Sequence, residues 1–317
     1  MSSFTEQDGR KIGMFVSEEG KNEFIDAYES AMKDLPKPAE EFWVDTDFGK
    51  AKVYKFSKEG IESKTPLVLL PGKSASTPMW GPNLKDLMKE RSIYTVELIG
   101  EPGLSTQMKE INTAEDQAVW LNKVIEQLPE KTIHLAGISL GGWNAVNVSI
   151  YNSEKIASLT LIDPLSVFGS IPLSVIFDPL KKILVSIPAS MPIIPKSIRK
   201  KMFSYIAGGT KTTESVSTAK LIEIGTRTYN SKLPLPEDIT EKQLQEMKIP
   251  ILGIIAENST MNNSEKAIKA GLENLRNPIS NMIMFQDASH LINGEYPEKL
   301  ARTILDFIQE VDQIIKN

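Results

Sequence analysis

The stretch Thr132-Ile133-His134-Leu135-Ala136-Gly137-Ile138-Ser139-Leu140-Gly141-Gly142 decides the fold. An apolar run that ends in Gly-x-Ser-x-Gly and passes into a second apolar segment reads as a buried strand, a very tight turn and a helix. The turn demands a strained backbone at Ser139. It also demands the flanking glycines, because a Cβ there would collide with the neighbouring strand or helix. The strain lifts the Ser139 hydroxyl above the sheet, where a base can reach it. The backbone N–H of Leu140, at the start of the helix, then faces an oxygen that gains negative charge. A glycine-rich turn with an incidental serine is the bland alternative, and Gly-x-Ser-x-Gly alone is a weak pattern. The strand before it and the apolar helix after it favour a nucleophile elbow.

A serine hydroxyl is a poor nucleophile at neutral pH and needs an adjacent base with an oriented partner. The chain has two histidines. His134 lies on the same strand as the elbow, roughly 16 Å from Ser139 along an extended chain, and reads as a packed core or strand-edge residue. His290 is the remaining candidate base. It sits in Gln286-Asp287-Ala288-Ser289-His290-Leu291, just after the last strand, in a loop at the carboxyl edge of the sheet where ligands bind in such folds. A second oxyanion donor is expected from the loop after the first parallel strand, Pro71-Gly72-Lys73-Ser74. Gly72 lets the backbone approach closely, and the Lys73 N–H is the candidate donor; the Lys73 side chain reads as solvent-facing.

Around the elbow, apolar strands alternate with amphipathic helices. Phe42 to Thr46 and Ala51 to Phe56 read as a hairpin, and Pro66 to Leu70 and Ser92 to Leu98 as short strands buried on both faces. Thr113-Ala114-Glu115-Asp116 opens a helix with a capping-box pattern. Strands follow at Ser158 to Ile162, Ile249 to Ile255 and Asn281 to Phe285, and Pro297 to Ile315 is a final amphipathic helix. This order predicts an α/β fold with a mostly parallel twisted sheet and helices on both faces. Residues 1–40 read as a peripheral N-terminal segment with a weak helix from Lys21 to Lys33. Residues 166–236 are rich in proline and break the rhythm. They read as an inserted helical cap, with short helices at Ile176 to Ile187, Lys196 to Ala207 and Ser215 to Thr228. Residues 41–165 and 237–317 then form the core.

Composition narrows the function classes. A net charge of −5 argues against a nucleic-acid surface. The chain has no cysteine, which excludes a thiolate metal site, a disulfide framework and a cysteine nucleophile, and is compatible with the reducing cytoplasm. Met1 to Arg10 is polar and carries no apolar signal core. Charges and prolines interrupt the apolar stretch from Ile171 to Pro195, so no membrane span is expected. Oligomeric state is not legible.

The chain resembles the α/β-hydrolase superfamily from about Phe42 to its end. The resemblance rests on Leu69-Leu70-Pro71-Gly72, Glu97-Leu98-Ile99-Gly100-Glu101-Pro102-Gly103-Leu104-Ser105, Gly137 to Trp143, Leu161-Ile162-Asp163-Pro164 and Ser289-His290, taken in order. It looks most like bacterial carboxylesterase-like serine hydrolases with a helical cap. That implies hydrolysis of a small-molecule ester or related acyl compound by Ser139 and His290, with no metal and no organic cofactor. Two departures stand out. Pro71-Gly72 replaces the family's usual His-Gly. More seriously, matching Ala256-Glu257-Asn258-Ser259 to the family pattern puts Ser259 where the triad acid usually stands. Asp163 and Glu257 are the candidate substitutes, with Asp163 favoured, and a site without a working acid stays open. A ligand-binding or signalling protein on a hydrolase scaffold, a lactonase and a carbon–carbon bond hydrolase are the competing functions.

Overall fold

Alternation of apolar side chains along short strands puts each central strand between two layers of helix. The computed structural model describes residues 11–61, 64–170 and 216–315. In chain order the elements begin with β1 (Met14–Phe15), α1 (Glu18–Met32), β2 (Glu40–Thr46), β3 (Gly49–Phe56) and β4 (Leu67–Leu70). A single 3-10 turn (Thr77–Trp80), α2 (Gly81–Leu87), β5 (Ile93–Val96), β6 (Thr106–Gln107), α3 (Ala114–Gln127), β7 (Ile133–Ile138), α4 (Leu140–Tyr151) and β8 (Ile156–Ile162) follow. After the undescribed residues come α5 (Val216–Thr228), β9 (Tyr229–Asn230), α6 (Glu241–Glu246), β10 (Ile251–Asn258), α7 (Ser264–Asn274), β11 (Asn281–Ser289), α8 (Ile292–Glu295) and α9 (Pro297–Ile315).

The main sheet runs β11-β10-β8-β7-β4-β5-β3-β2, with β6 paired to β3. From β11 to β5 every pairing is parallel, and β3 joins β5 and β2 antiparallel. Odd and even positions of a strand serve opposite faces. Val68 and Leu70 of β4 therefore pack into one core with Trp120 and Leu121 of α3 and Val146 of α4, whereas Leu67 and Leu69 join Phe24 of α1, Leu84 of α2 and Ile304 of α9 in the other. Leu221 and Ile224 bring α5 into this second core. The expected Thr113 capping box is present, with reciprocal Thr113 and Asp116 bonds at the start of α3.

Strand order reverses at β4. The chain passes from β4 to β5 on one side and returns to β7 on the other. Such a switch point leaves a crevice beyond the carboxyl ends of the strands. The register aligns those ends: Leu70 faces Gly137, Ile138 faces Ile162, and Ile162 faces Ile254. The loops after β4, β7, β8, β10 and β11 thus emerge together. Of the expected insertion, residues 171–215 lie outside the described residues, including the segments read as helices at 176–187 and 196–207. The segment read as a helix at 215–228 is α5. Ile239 N–H donates to the Ser166 carbonyl at 2.8 Å, so the two limbs that flank residues 167–238 leave and rejoin the core side by side.

Candidate active site

Gly137, Ser139 and Gly141 shape the turn between β7 and α4. Ser139 stands at φ 54°, in the left-handed region that a side chain rarely adopts. A Cβ on Gly137 would lie 2.2 Å from the backbone of Gly141, and one on Gly141 would lie 2.3 Å from the Leu70 carbonyl oxygen. Only glycine allows α4 to start this close to β7 and β4. Gly72 differs. A Cβ there would make an ordinary contact, 3.5 Å from Ser139 Cβ. Gly72 is therefore not required by a protein clash; it leaves open the space beside Ser139.

His290 and Asp163 come together at the ends of β11 and β8. His290 Nδ1 lies 2.6 Å from Asp163 Oδ2. Asp163 has no exposed surface, and His290 and Ser139 are 6% and 8% exposed. Ser139 lies beside the strand that carries Asp163: its N–H donates to the Ile162 carbonyl at 3.0 Å, and its own carbonyl accepts from Leu165 N–H at 3.2 Å. Asp163 is itself at φ 40°. A buried carboxylate is costly unless its lone pairs are filled, and this one is surrounded by donors. Ser259 Oγ donates to Oδ2 at 2.7 Å, and Asn262 Nδ2 to Oδ1 at 3.0 Å. The Ala256 N–H approaches Oδ1 at 3.4 Å.

Ser259 and Asn262 are the residues that sequence reasoning missed as partners of Asp163. Ser259 occupies the position where the acid was sought, and it donates to the Asp163 carboxylate. It also accepts the Asn262 N–H at 2.9 Å, closing the turn that carries Asn262 to Asp163. Glu257 points elsewhere. It is exposed, and its Oε2 accepts the Asp287 N–H at 2.7 Å. Glu295 braces the loop on the other side of His290, accepting from Ser289 N–H at 2.7 Å and from Ser289 Oγ at 2.8 Å.

Two amides near Ser139 have no hydrogen-bond partner among the described residues. In the loop after β4, Gly72 N–H points at Met79 Sδ (3.3 Å), Ser74 N–H donates to Glu101 Oε2 (2.7 Å), and Ala75 N–H donates to the Gly72 carbonyl (3.2 Å). Pro71 has no N–H, so the Lys73 amide is the one left over among the described residues. Leu140 opens α4, and its N–H has no preceding helical turn to bond to. The Lys73 side chain is exposed, with its charge near the buried Glu101. Burial pushes the Glu101 carboxyl above its usual range, against the opposing pull of Lys73, Ser74 N–H and Ser231. His134 lies at the other end of β7, held by Ser158 Oγ at 2.8 Å and Asp312 Oδ1 at 3.0 Å. Among the described residues no group of three or more His, Cys, Asp or Glu could hold a metal ion, and no helix is long and apolar enough to cross a membrane.

A mostly parallel sheet with a serine elbow at its switch point and a histidine after its last strand defines a class, and the chain has the α/β-hydrolase fold. The family described as alpha/beta hydrolase fold matches residues 65–184. Carboxylesterase YbfK of Bacillus subtilis is 25% identical over 302 residues, spanning 93% of this chain and 96% of that protein. The crystal structure of that carboxylesterase superposes with a TM-score of 0.80 at 24% identity, covering 92% of this chain and 98% of the other. Naproxen esterase of Bacillus subtilis gives a TM-score of 0.81 at 21% identity, covering 92% and 99%.

Proposed function

We propose that the protein is a serine hydrolase of carboxylesterase type that cleaves a small, mainly apolar ester through an acyl-enzyme. The observation that carries this reading is the Asp163–His290 contact of 2.6 Å beside the strained Ser139. Ser139 is the nucleophile, His290 the base, and Asp163, rather than Glu257, the acid that orients His290. The likeness to carboxylesterases along nearly the whole chain supports the same activity.

In this mechanism the Ser139 oxygen attacks the ester carbonyl carbon and gives its proton to His290 Nε2. Asp163 accepts from Nδ1, fixes the tautomer and steadies the imidazolium that forms. The carbonyl oxygen becomes an oxyanion between the Lys73 and Leu140 N–H groups, which have no other partner among the described residues. His290 then protonates the leaving alcohol. Water enters, loses a proton to His290 and attacks the acyl carbon, and collapse of the second tetrahedral intermediate returns the proton to Ser139. Selection of the substrate is assigned to the segment read from the sequence as a cap, residues 166–236, of which residues 171–215 lie outside the described residues. The same steps serve lactone opening and carbon–carbon bond hydrolysis, so the choice among these lies with the cap.

A fluorophosphonate, which traps activated serines, tests the reading. Rapid modification at Ser139, found by peptide mass spectrometry, is expected in the parent and absent from Ser139→Ala. Asp163→Asn should lower kcat by about 10⁴-fold, as loss of the histidine's orienting acid does elsewhere, while Glu257→Gln keeps at least about a third of parent turnover because, among the described residues, its side chain bonds the Asp287 amide alone. Ester turnover undiminished in Ser139→Ala would sink the proposal.

A further inference from the structure

Glu101 is a buried carboxylate that this mechanism does not use. It lies in the turn after β5, 2% exposed, and among the described residues each of its oxygens has one hydrogen-bond partner. Oε2 accepts the Ser74 N–H at 2.7 Å, and Oε1 accepts Ser231 Oγ at 3.1 Å. Ser74 stands at φ 58°, a conformation that a serine keeps only when its surroundings impose it. Among the described residues, the Ser74 N–H has this one acceptor, and the acceptor is charged or strongly polar, which makes the bond strong. The bond fixes the peptide that joins Lys73 to Ser74. The adjoining peptide carries the Lys73 N–H and follows Gly72, where a Cβ would lie 3.5 Å from Ser139 Cβ.

We propose that Glu101 is a positioning residue that sets the oxyanion loop by holding the Ser74 amide, so that the Lys73 amide is left free and correctly aimed. This rests on the serine-hydrolase reading above. Glu101 touches no substrate and transfers no proton. Ser231, on the limb that returns from residues 171–215, fills its second oxygen and keeps the carboxylate facing the loop.

The test compares Glu101→Ala with Glu101→Gln in the full-length protein. Glutamine offers an amide oxygen to Ser74 N–H and an amide N–H₂ to Ser231 Oγ, so it preserves both contacts without the charge. Turnover of a p-nitrophenyl ester is read per fluorophosphonate-reactive site, and amide hydrogen exchange is followed in the peptide spanning residues 72–75. Losing one aimed oxyanion donor costs about 10²–10³-fold in kcat where it has been measured. A loop that is loosened rather than deleted should lose about 10–100-fold in kcat with KM nearly unchanged, because the donor acts mainly in the transition state. That loss, together with faster exchange at 72–75 in Glu101→Ala and with both readouts restored in Glu101→Gln, supports the role. Parent-like kcat per reactive site in Glu101→Ala overturns it. So does a glutamine variant as slow as the alanine one, which would assign the effect to charge beside Lys73. If the parent itself neither turns over the ester nor reacts with the fluorophosphonate, the hydrolase reading fails, and that outcome is distinct from an active parent with an indifferent Glu101.

Discussion

Asp163 sits in a place that a carboxylate reaches only with help. It is fully buried, at positive φ, and ringed by Ser259, Asn262 and His290. The residues that fill its lone pairs come from the turn after β10, the very turn where the sequence comparison sought an acid. The arrangement therefore makes a relocation experiment possible. In Asp163→Asn, the Ser259→Asp substitution would return a carboxylate to the neighbourhood of His290, since Ser259 Oγ and His290 Nδ1 both lie within hydrogen-bond distance of one Asp163 oxygen. We expect the double variant to recover at least about tenfold of the roughly 10⁴-fold turnover lost with the acid. Ser259→Asp alone should be slower than the parent, because two carboxylates sharing one site cannot both ionise easily. A double variant no faster than Asp163→Asn would mean that the turn after β10 cannot deliver an acid to His290. At this scale Ser139 and His290 could be singled out as candidates, by their motif and by the shortage of histidines. The sequence favoured Asp163 over Glu257 but could not show which of the two contacts His290. That depends on where two adjacent strands end relative to one another, which the register at Ile162 and Ile254 determines.

At the scale of elements, the elbow joins β4, β7 and α4 through glycine contacts with no slack. Gly141→Ala would place its Cβ 2.3 Å from Leu70 O and 2.6 Å from Pro71 O, and backbone cannot swing aside as a flexible side chain does. The strand end that must shift carries the loop from Pro71 to Ser74. Overpacking of this kind costs about 1–3 kcal/mol or more, so Tm should fall by roughly 3–10 °C for a domain of this size. Ester turnover should fall further than the loss of folded protein explains. Calorimetry beside active-site titration checks both; an unchanged Tm would mean that α4 is free to move. The longer strands and α9 were readable because burial on two faces or one stripe leaves an unmistakable pattern. α6 and α7 were not read, though Thr240-Glu241-Lys242-Gln243 carries the capping-box signal that the structure realises at α6. β11 outruns its apolar pattern at Phe285 because Glu257 ties down the Asp287 amide near a break in its register with β10. Such a strand end is held by a partner from another strand and leaves no periodic trace.

At the scale of the whole molecule, the sheet has a working end and a fastening end. The fastening end is the amino end of β7, where His134 bonds Ser158 and Asp312, and Arg91 also bonds Asp312 at 3.2 Å and the Thr65 carbonyl at 2.7 Å. One carboxylate on α9 thus pins the last helix to the middle of the sheet. The sequence showed that His134 was too far from Ser139 to serve it, but its partner lies 178 residues away on another element, beyond any local pattern. Burial lowers the His134 pKa even though Asp312 pulls it upward. Asp312 is held below its usual range, because the His134 and Arg91 contacts outweigh the upward push of its own burial. The signs follow. An imidazole whose folded pKa is depressed contributes stability that is present above its unfolded value, near 6.5, and lost as the pH falls below that value. Asp312 adds a similar loss only below about pH 4. The buried Glu97 and Glu101, both raised by burial, tilt the curve the other way above about pH 4.3. Comparing the parent with His134→Gln cancels these shared slopes and isolates the imidazole. We expect the parent to exceed the variant in Tm at pH 8 and the gap to narrow steadily from pH 7 to pH 5.5, as His134 is asked to take a proton its surroundings disfavour. A gap that stays constant across this range would show that His134 keeps its ordinary pKa in the fold. The fastening would then rest on Arg91 and Asp312, which hold the same charges throughout it.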